Sequence, residues 1–184
     1  CSKYPKSYGI VITASHNNFK YNGIKIFNNI GEKINDSEQK TISRSYDSFK
    51  KKKTRTRINN KLNVNYHNSI DEYCDYILGK YINKNSYKIG IDLANGSSYI
   101  ATKKIMGKTK NKCFYIGDKP NGKNINSGIG VENTNQLKQL ILNKNLDFGV
   151  AFDGDADRVI FLDNKAREIS GDKMLSFLSS KLLK

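Results

Sequence analysis

Phe148-Gly149-Val150-Ala151-Phe152-Asp153-Gly154-Asp155-Ala156-Asp157-Arg158-Val159-Ile160-Phe161-Leu162 is the stretch from which the chain is best read. An apolar run ends at Phe152, three carboxylates follow at every second position, and the apolar pattern resumes at Val159. A short apolar run bounded by turn residues reads as a buried strand. In open α/β sheets, ligands gather beyond the carboxyl ends of strands, which is where this order puts Asp153, Asp155 and Asp157. Three ionised carboxylates held so close repel one another. A hard divalent cation relieves that, and all-oxygen donors suit Mg²⁺. Gly154 and Ala156 keep the loop small enough for the carboxylates to turn inward. Arg158 can hold a phosphate, or buttress a carboxylate, through paired hydrogen bonds. An EF-hand is excluded, because no Glu stands at the twelfth position.

Upstream of this stretch, elements alternate. Residues 88–93 read as a strand, then Asn95-Gly96-Ser97-Ser98 turn into a helix over 99–106. Residues 113–116 are the next strand, followed by an Asn- and Gly-rich loop over 120–130. Residues 133–142 read as a helix, with Leu137, Leu140 and Ile141 on one face. Downstream, 159–162 is a further strand that turns at Asp163-Asn164 toward a helix from about Asp172. Strand-helix-strand-helix-strand with short connections predicts an α/β fold of parallel, doubly wound character. A helix before this unit carries Ile70, Tyr73, Cys74, Ile77 and Tyr81 on one face, and Ser69 to Glu72 has the spacing of a capping box.

The beginning of the chain forms a second pattern. Gly9-Ile10-Val11-Ile12-Thr13 reads as a buried strand, and Gly23-Ile24-Lys25-Ile26-Phe27 as another that ends in a turn at Asn28-Asn29. Asp36 or Ser37 is expected to cap a polar helix reaching about residue 52, with a linker over 54–65. Between the two strands lies Ala14-Ser15-His16-Asn17. Adjacent Ser and His side chains diverge, so this is no hydrolase triad. A Ser that carries a phosphoryl group needs cations and hydrogen-bond donors around it, and His16, Asn17 and Lys25 are of that kind.

Thr13-Ala14-Ser15-His16-Asn17, then Tyr21-Asn22-Gly23-Ile24-Lys25, then Asp153-Gly154-Asp155-Ala156-Asp157-Arg158 together resemble the α-D-phosphohexomutase family in order and spacing. Its serine motif is similar to TASHNP and its metal loop to DGDxDR, and the family's Lys, ten residues beyond the Ser, falls on Lys25. The resemblance implies mostly parallel, mixed βαβ sheets flanked by helices. It also implies a phosphoserine at Ser15, with Ser15, Asp153, Asp155 and Asp157 as Mg²⁺ ligands. Lys25 would be a general acid/base or phosphate contact, His16 and Asn17 would position the phosphoryl group, and Arg158 would support the loop. The implied reaction passes phosphate from Ser15 to a hexose phosphate, forms a hexose bisphosphate, and takes back the other phosphate. Pro120 to Asn126, Asp92 to Ser97 and Ile169 to Asp172 resemble the bacterial branch acting on glucosamine phosphates; glucose or mannose phosphates are the alternative. The resemblance assigns 1–60 to the end of domain I, 61–167 to domain II and 168–184 to the start of domain III. One departure stands out: the family's Pro after His-Asn is replaced by Asn18, which should loosen the loop.

The whole chain has 184 residues, 37% hydrophobic and 27% charged, enough apolar material for a packed core. Its net charge of +15 suggests a nucleic-acid or anionic-membrane partner. Against this, Lys is spread with Asn and Ile through every segment, and the dense run at 50–57 has no aromatic companions for base stacking. We therefore expect no nucleic acid and no membrane partner, with a basic nucleic-acid-binding module as the non-enzyme alternative. An Asp-nucleophile phosphatase leaves the third Asp and the Ser15 motif unexplained. Cys1, Cys74 and Cys113 follow no metal or disulfide pattern, consistent with a reducing, cytoplasmic setting. His67 has no partner in sequence and reads as a surface or linker residue. The start at Cys1 and the apolar pattern over 175–184 lead us to expect an internal piece of a longer enzyme that needs its remaining domains and has little turnover alone.

Overall fold

The structure, a computed structural model, describes residues 6–51, 69–80 and 85–183. His67, Tyr81 and the linker expected over 54–65 lie outside them. The chain divides into two compact units, and the loop Ala14–Asn22 belongs to the second.

In the first unit, β1 (Gly9–Ile12) and β2 (Ile24–Phe27) pair antiparallel, with Gly9 opposite Phe27 and Ile12 opposite Ile24. The turn after β2 is closed by Asn28, whose Oδ1 accepts from the backbone N–H groups of Ile30 (3.1 Å) and Glu32 (2.9 Å). Helix α1 (Asp36–Lys51) follows. Its cap is neither Asp36 nor Ser37. Asn35 accepts from the Glu38 N–H, and Glu38 reaches back to the Asn35 N–H, both at 3.0 Å. This reciprocal pair satisfies two of the helix's orphan donors. The expectation that β1 is buried fails: Ile10 and Ile12 are 65% and 70% exposed. Among the described residues β1 pairs with β2 alone, and a β-branched run reads the same whether or not its face is covered.

The second unit is built on a five-stranded sheet in the order β4-β3-β5-β6-β7. Strands β3 (Lys88–Asp92), β4 (Lys112–Ile116) and β5 (Phe148–Phe152) are parallel. Strands β6 (Val159–Asp163) and β7 (Glu168–Ile169) run antiparallel to their neighbours. The α/β class and the mixed sheet flanked by helices are thus as the sequence predicts, but the parallel order stops at β5. The short connection explains why: Asp153 to Arg158 is a hairpin loop, and a parallel crossover needs a dozen residues or more. β7 was not foreseen, being only two residues long. The helices are α2 (Ile70–Gly79), α3 (Tyr99–Gly107), α4 (Asn135–Lys144) and α5 (Gly171–Leu182). The capping box expected at Ser69 does not form; Ser69 makes no side-chain cap bond. Among the described residues no helix is long and apolar enough to cross a membrane.

Strand alternation splits the core between the two faces of the sheet. On one face, Leu137, Ile141 and Leu146 pack with Ala151 and Leu162. On the other, Ile89, Ile91 and Leu93 pack with Met106, Phe148 and Val150. Glycine brings α4 close to the first face: a Cβ at Gly149 would lie 2.6 Å from Ile141 Cδ1. The completely buried Leu137 is the anchor of that face. Leu137→Ala should lower the unfolding free energy by about 2–5 kcal/mol, measured by urea denaturation, while the exposed Ile10→Ser should change it by about 0.5 kcal/mol or less.

Candidate active site

Strand β5 delivers Asp153 to its carboxyl end, and there the chain turns back into β6. The Ala156 N–H donates to the Asp153 carbonyl at 3.1 Å, with Ala156 in the left-handed region at φ 59°. Non-glycine residues adopt that conformation uncommonly. Asp153 is fully buried. A buried carboxylate needs partners, and Arg158 supplies two: its N–H donates to Oδ1 at 3.1 Å and its Nε to Oδ2 at 3.2 Å. One oxygen of each of Asp153, Asp155 and Asp157 lies within 4.8 Å of the others. Arg158 also pairs more loosely with Asp157 (3.9 Å) and Glu132 (3.6 Å). These two are exposed ion pairs and contribute little to stability.

The loop with Ser15 meets this acidic loop. Ser15 Oγ donates to Asp153 Oδ2 at 3.2 Å and accepts from an Arg158 guanidinium N–H at 3.4 Å. Ser15 itself is left-handed, φ 52°. Non-glycine residues held there cost free energy and cluster at functional sites. The loop is also closed internally. The Asn17 N–H donates to the Ala14 carbonyl at 3.0 Å, and Asn18 Oδ1 accepts from the Lys20 N–H at 3.0 Å. Asn18 thus closes a turn with its side chain. His16 and the Asn17 side chain are exposed. Lys25 sits in the first unit, on β2 opposite Val11, where it lines a groove of about 510 Å³ with Ile34, Ile42 and Tyr46.

Three features of the site escaped the sequence reading. Gly96 and Gly154 meet backbone to backbone: a Cβ on Gly96 would collide with the Gly154 carbonyl, which instead accepts from the Ser97 N–H at 2.8 Å. Asn126 donates from Nδ2 to the carbonyls of Ser15 and Asn17. Asp92, at the end of β3, accepts from the Ala94 N–H at 2.9 Å and the Gly130 N–H at 2.7 Å, tying two loops to the sheet. A carboxylate directly after the apolar run Ile89-Gly90-Ile91 was the available signal for Asp92. Gly96 and Asn126 lie among turn residues, which look alike whatever they touch, and the role read for Gly154, a compact loop, did not say which backbone it meets.

Residues 66–166 match the family model described as phosphoglucomutase/phosphomannomutase, alpha/beta/alpha domain II, and residues 1–53 match its domain I. The chain belongs to the phosphoglucomutase/phosphomannomutase family. Ser15 lies in the stretch matched by domain I, and Asp153–Arg158 in that matched by domain II of this family. Similar curated relatives are the phosphoglucosamine mutases of Coxiella burnetii, 33% identical over 93% of this chain, and of Deinococcus deserti, 35% identical over 91%. The chain spans only 39% and 38% of their lengths. Among solved structures, a phosphoglucomutase/phosphomannomutase family protein from Burkholderia thailandensis superposes with a TM-score of 0.77 at 20% identity, over 96% of this chain and 38% of that one. The Aspergillus fumigatus N-acetylphosphoglucosamine mutase, in complex with GlcNAc-6P and magnesium, gives 0.54 at 15% identity, over 88% of this chain and 45% of that one. At such identities the superpositions establish the shared fold.

Burial pushes the Asp92 carboxyl above its ordinary value of 3.8, while the hydrogen bonds from Gly130 and Ala94 pull it down. The folded chain then binds more protons at this site than the unfolded chain between the two pKa values. Stability contributed by Asp92 is therefore present below pH 3.8 and lost as pH rises through the raised value. The stability of the wild type relative to Asp92→Asn should fall as pH rises from about 3, measured by urea unfolding at stepped pH. A relative stability that increased with pH over this range would contradict this account of Asp92.

Proposed function

We propose that the chain is the phosphoryl-carrying and metal-binding part of a hexose-phosphate mutase that interconverts glucosamine 6-phosphate and glucosamine 1-phosphate. The observation that carries this reading is the 3.2 Å bond between Ser15 Oγ and Asp153 Oδ2, which joins positions 138 residues apart. A hydroxyl set against an acidic loop and an Arg supports a phosphoryl-carrying role for Ser15. The preference for glucosamine rests on the names of the curated relatives; glucose and mannose phosphates are the alternative. In domain terms we assign 1–60 to the end of domain I, 61–167 to domain II and 168–184 to the start of domain III, within a cytoplasmic enzyme whose remaining domains bind the sugar.

The donor set fits Mg²⁺. Three carboxylates converge within 4.8 Å, all donors are hard oxygens, and small residues at 154 and 156 leave the loop compact. Asp153, Asp155, Asp157 and phosphorylated Ser15 would hold the ion. When bound, it neutralises charge on the transferring group and favours in-line displacement. The remaining roles belong to the chain. Ser15 Oγ gives its phosphoryl group to the free hydroxyl of a hexose monophosphate, producing a bisphosphate and the serine hydroxyl. After the bisphosphate reorients, the other phosphate returns to Ser15. Lys25 takes and returns the sugar hydroxyl proton or holds a phosphate, and His16 and Asn17 orient the phosphoryl oxygens. Arg158 donates to them while keeping Asp153 neutralised.

Intact-mass analysis of the whole enzyme, incubated with a hexose bisphosphate and Mg²⁺, should show one added phosphate on Ser15. Ser15→Ala and chelation of Mg²⁺ should each abolish it. Absence of phosphate on Ser15 in the wild type under every donor tried would sink the proposal. The 184-residue chain alone should give no steady mutase turnover in a coupled assay, because it spans 39% of its relatives' length.

A further inference from the structure

Asn126 belongs to the loop between β4 and α4, and a carboxamide is neither an acid, a base nor a nucleophile in phosphoryl chemistry. Yet its side chain is committed to the Ser15 loop. Nδ2 donates at 2.9 Å to the Ser15 carbonyl and at 3.0 Å to the Asn17 carbonyl. A carboxamide nitrogen carries two hydrogens, so both are used, one on each carbonyl flanking His16. The Asn126 backbone is left-handed, φ 55°, and its N–H donates to the Ala94 carbonyl at 2.9 Å. Ala94 is in turn tied by its N–H to the buried Asp92 carboxylate. A continuous run of hydrogen bonds therefore leads from the end of β3 to the backbone of Ser15. The acidic loop closes on the same point, since a Cβ at Gly154 would stand 2.7 Å from Asn126 Nδ2 and 2.8 Å from the Ser15 carbonyl.

We infer that Asn126 is a positioning residue for phosphoryl transfer: its carboxamide latches the Ser15 loop to the acidic loop and so aims Ser15 Oγ at Asp153. This rests on reading Ser15 as the phosphoryl carrier. Asn126 touches no reacting atom; it acts through the Ser15 and Asn17 carbonyls. Few residues could replace it. Aspartate tolerates a left-handed backbone but only accepts hydrogen bonds when ionised, and would face two carbonyls. Glycine fits the backbone and offers no donor. Because the latch holds the carrier and not the sugar, its loss should reduce the rate of transfer and leave sugar binding unchanged.

The test compares wild type, Asn126→Gly and Asn126→Asp in the whole enzyme, following phosphorylation of Ser15 by hexose 1,6-bisphosphate with Mg²⁺ and the steady-state kcat and KM. Misplacement by about 1 Å should lower the phosphorylation rate and kcat on the order of 100-fold in both variants, with KM within about twofold of wild type and unchanged amide exchange in β3 and β5. Faster amide exchange over residues 14–18 should accompany the loss. Wild-type rates in a folded Asn126→Gly enzyme would overturn the latch, as would a rise in KM that accounts for the whole loss. If both variants unfold, Asn126 is a general strut and the positioning role is rejected. A wild type that never acquires phosphate on Ser15 would instead refute the carrier reading itself, so the two failures are distinguishable.

Discussion

Bringing three carboxylates within 4.8 Å of one another, one of them fully buried, is the constraint around which the second unit is organised. A buried negative charge is costly unless neutralised and hydrogen-bonded. The first answer is local: Arg158, five residues on, folds back with its N–H and Nε onto both oxygens of Asp153. The second is long-range, since the hydroxyl of Ser15 also donates to Asp153. The hairpin geometry follows, because β6 must leave β5 immediately for Arg158 to reach back. What breaks the parallel order of the sheet is therefore the same loop that concentrates the charge.

The close approach of loops at this point has its own requirement. Gly96 and Gly154 touch through their backbones, and Asn126 fills the remaining space with two donors for two carbonyls. Asp92 steadies the base of the assembly by gathering Ala94 and Gly130 onto the end of β3. Each of these residues is small or polar at the carboxyl end of a parallel strand, where helix and strand backbones leave amides unpaired. The apolar layers below, around Leu137 on one face and Ile91 on the other, are what make those ends rigid enough to hold the loops in register.

Much of this was legible in the sequence for a physical reason. Strands β3 and β5 announce themselves as short apolar runs, helix α4 by periodicity, and the Asp153 loop by an arrangement of charge that little else explains. The Ser15 loop and the Asp153 loop were paired through a family resemblance, and the structure places their side chains in contact. What stayed hidden depends on partners distant in sequence. Asn126 and Gly96 lie in stretches that read as ordinary turns, and nothing local reveals which backbone they face. The Asn35 cap was missed in favour of Asp36 and Ser37, since all three residue types cap helices well. The exposure of β1 was missed because burial depends on what lies over a strand, not on the strand itself.

The backbone of Ser15 carries one more consequence. With φ at 52°, this position is left-handed, and a β-branched side chain there is a genuine outlier. Threonine bears the same hydroxyl and accepts phosphate equally well in chemical terms. Its extra methyl would have to be housed in a conformation that β-branched residues avoid, so the loop discriminates between two chemically equivalent alcohols by shape alone. The identity of the residue at this position is thus written by the main chain before any phosphoryl chemistry is considered.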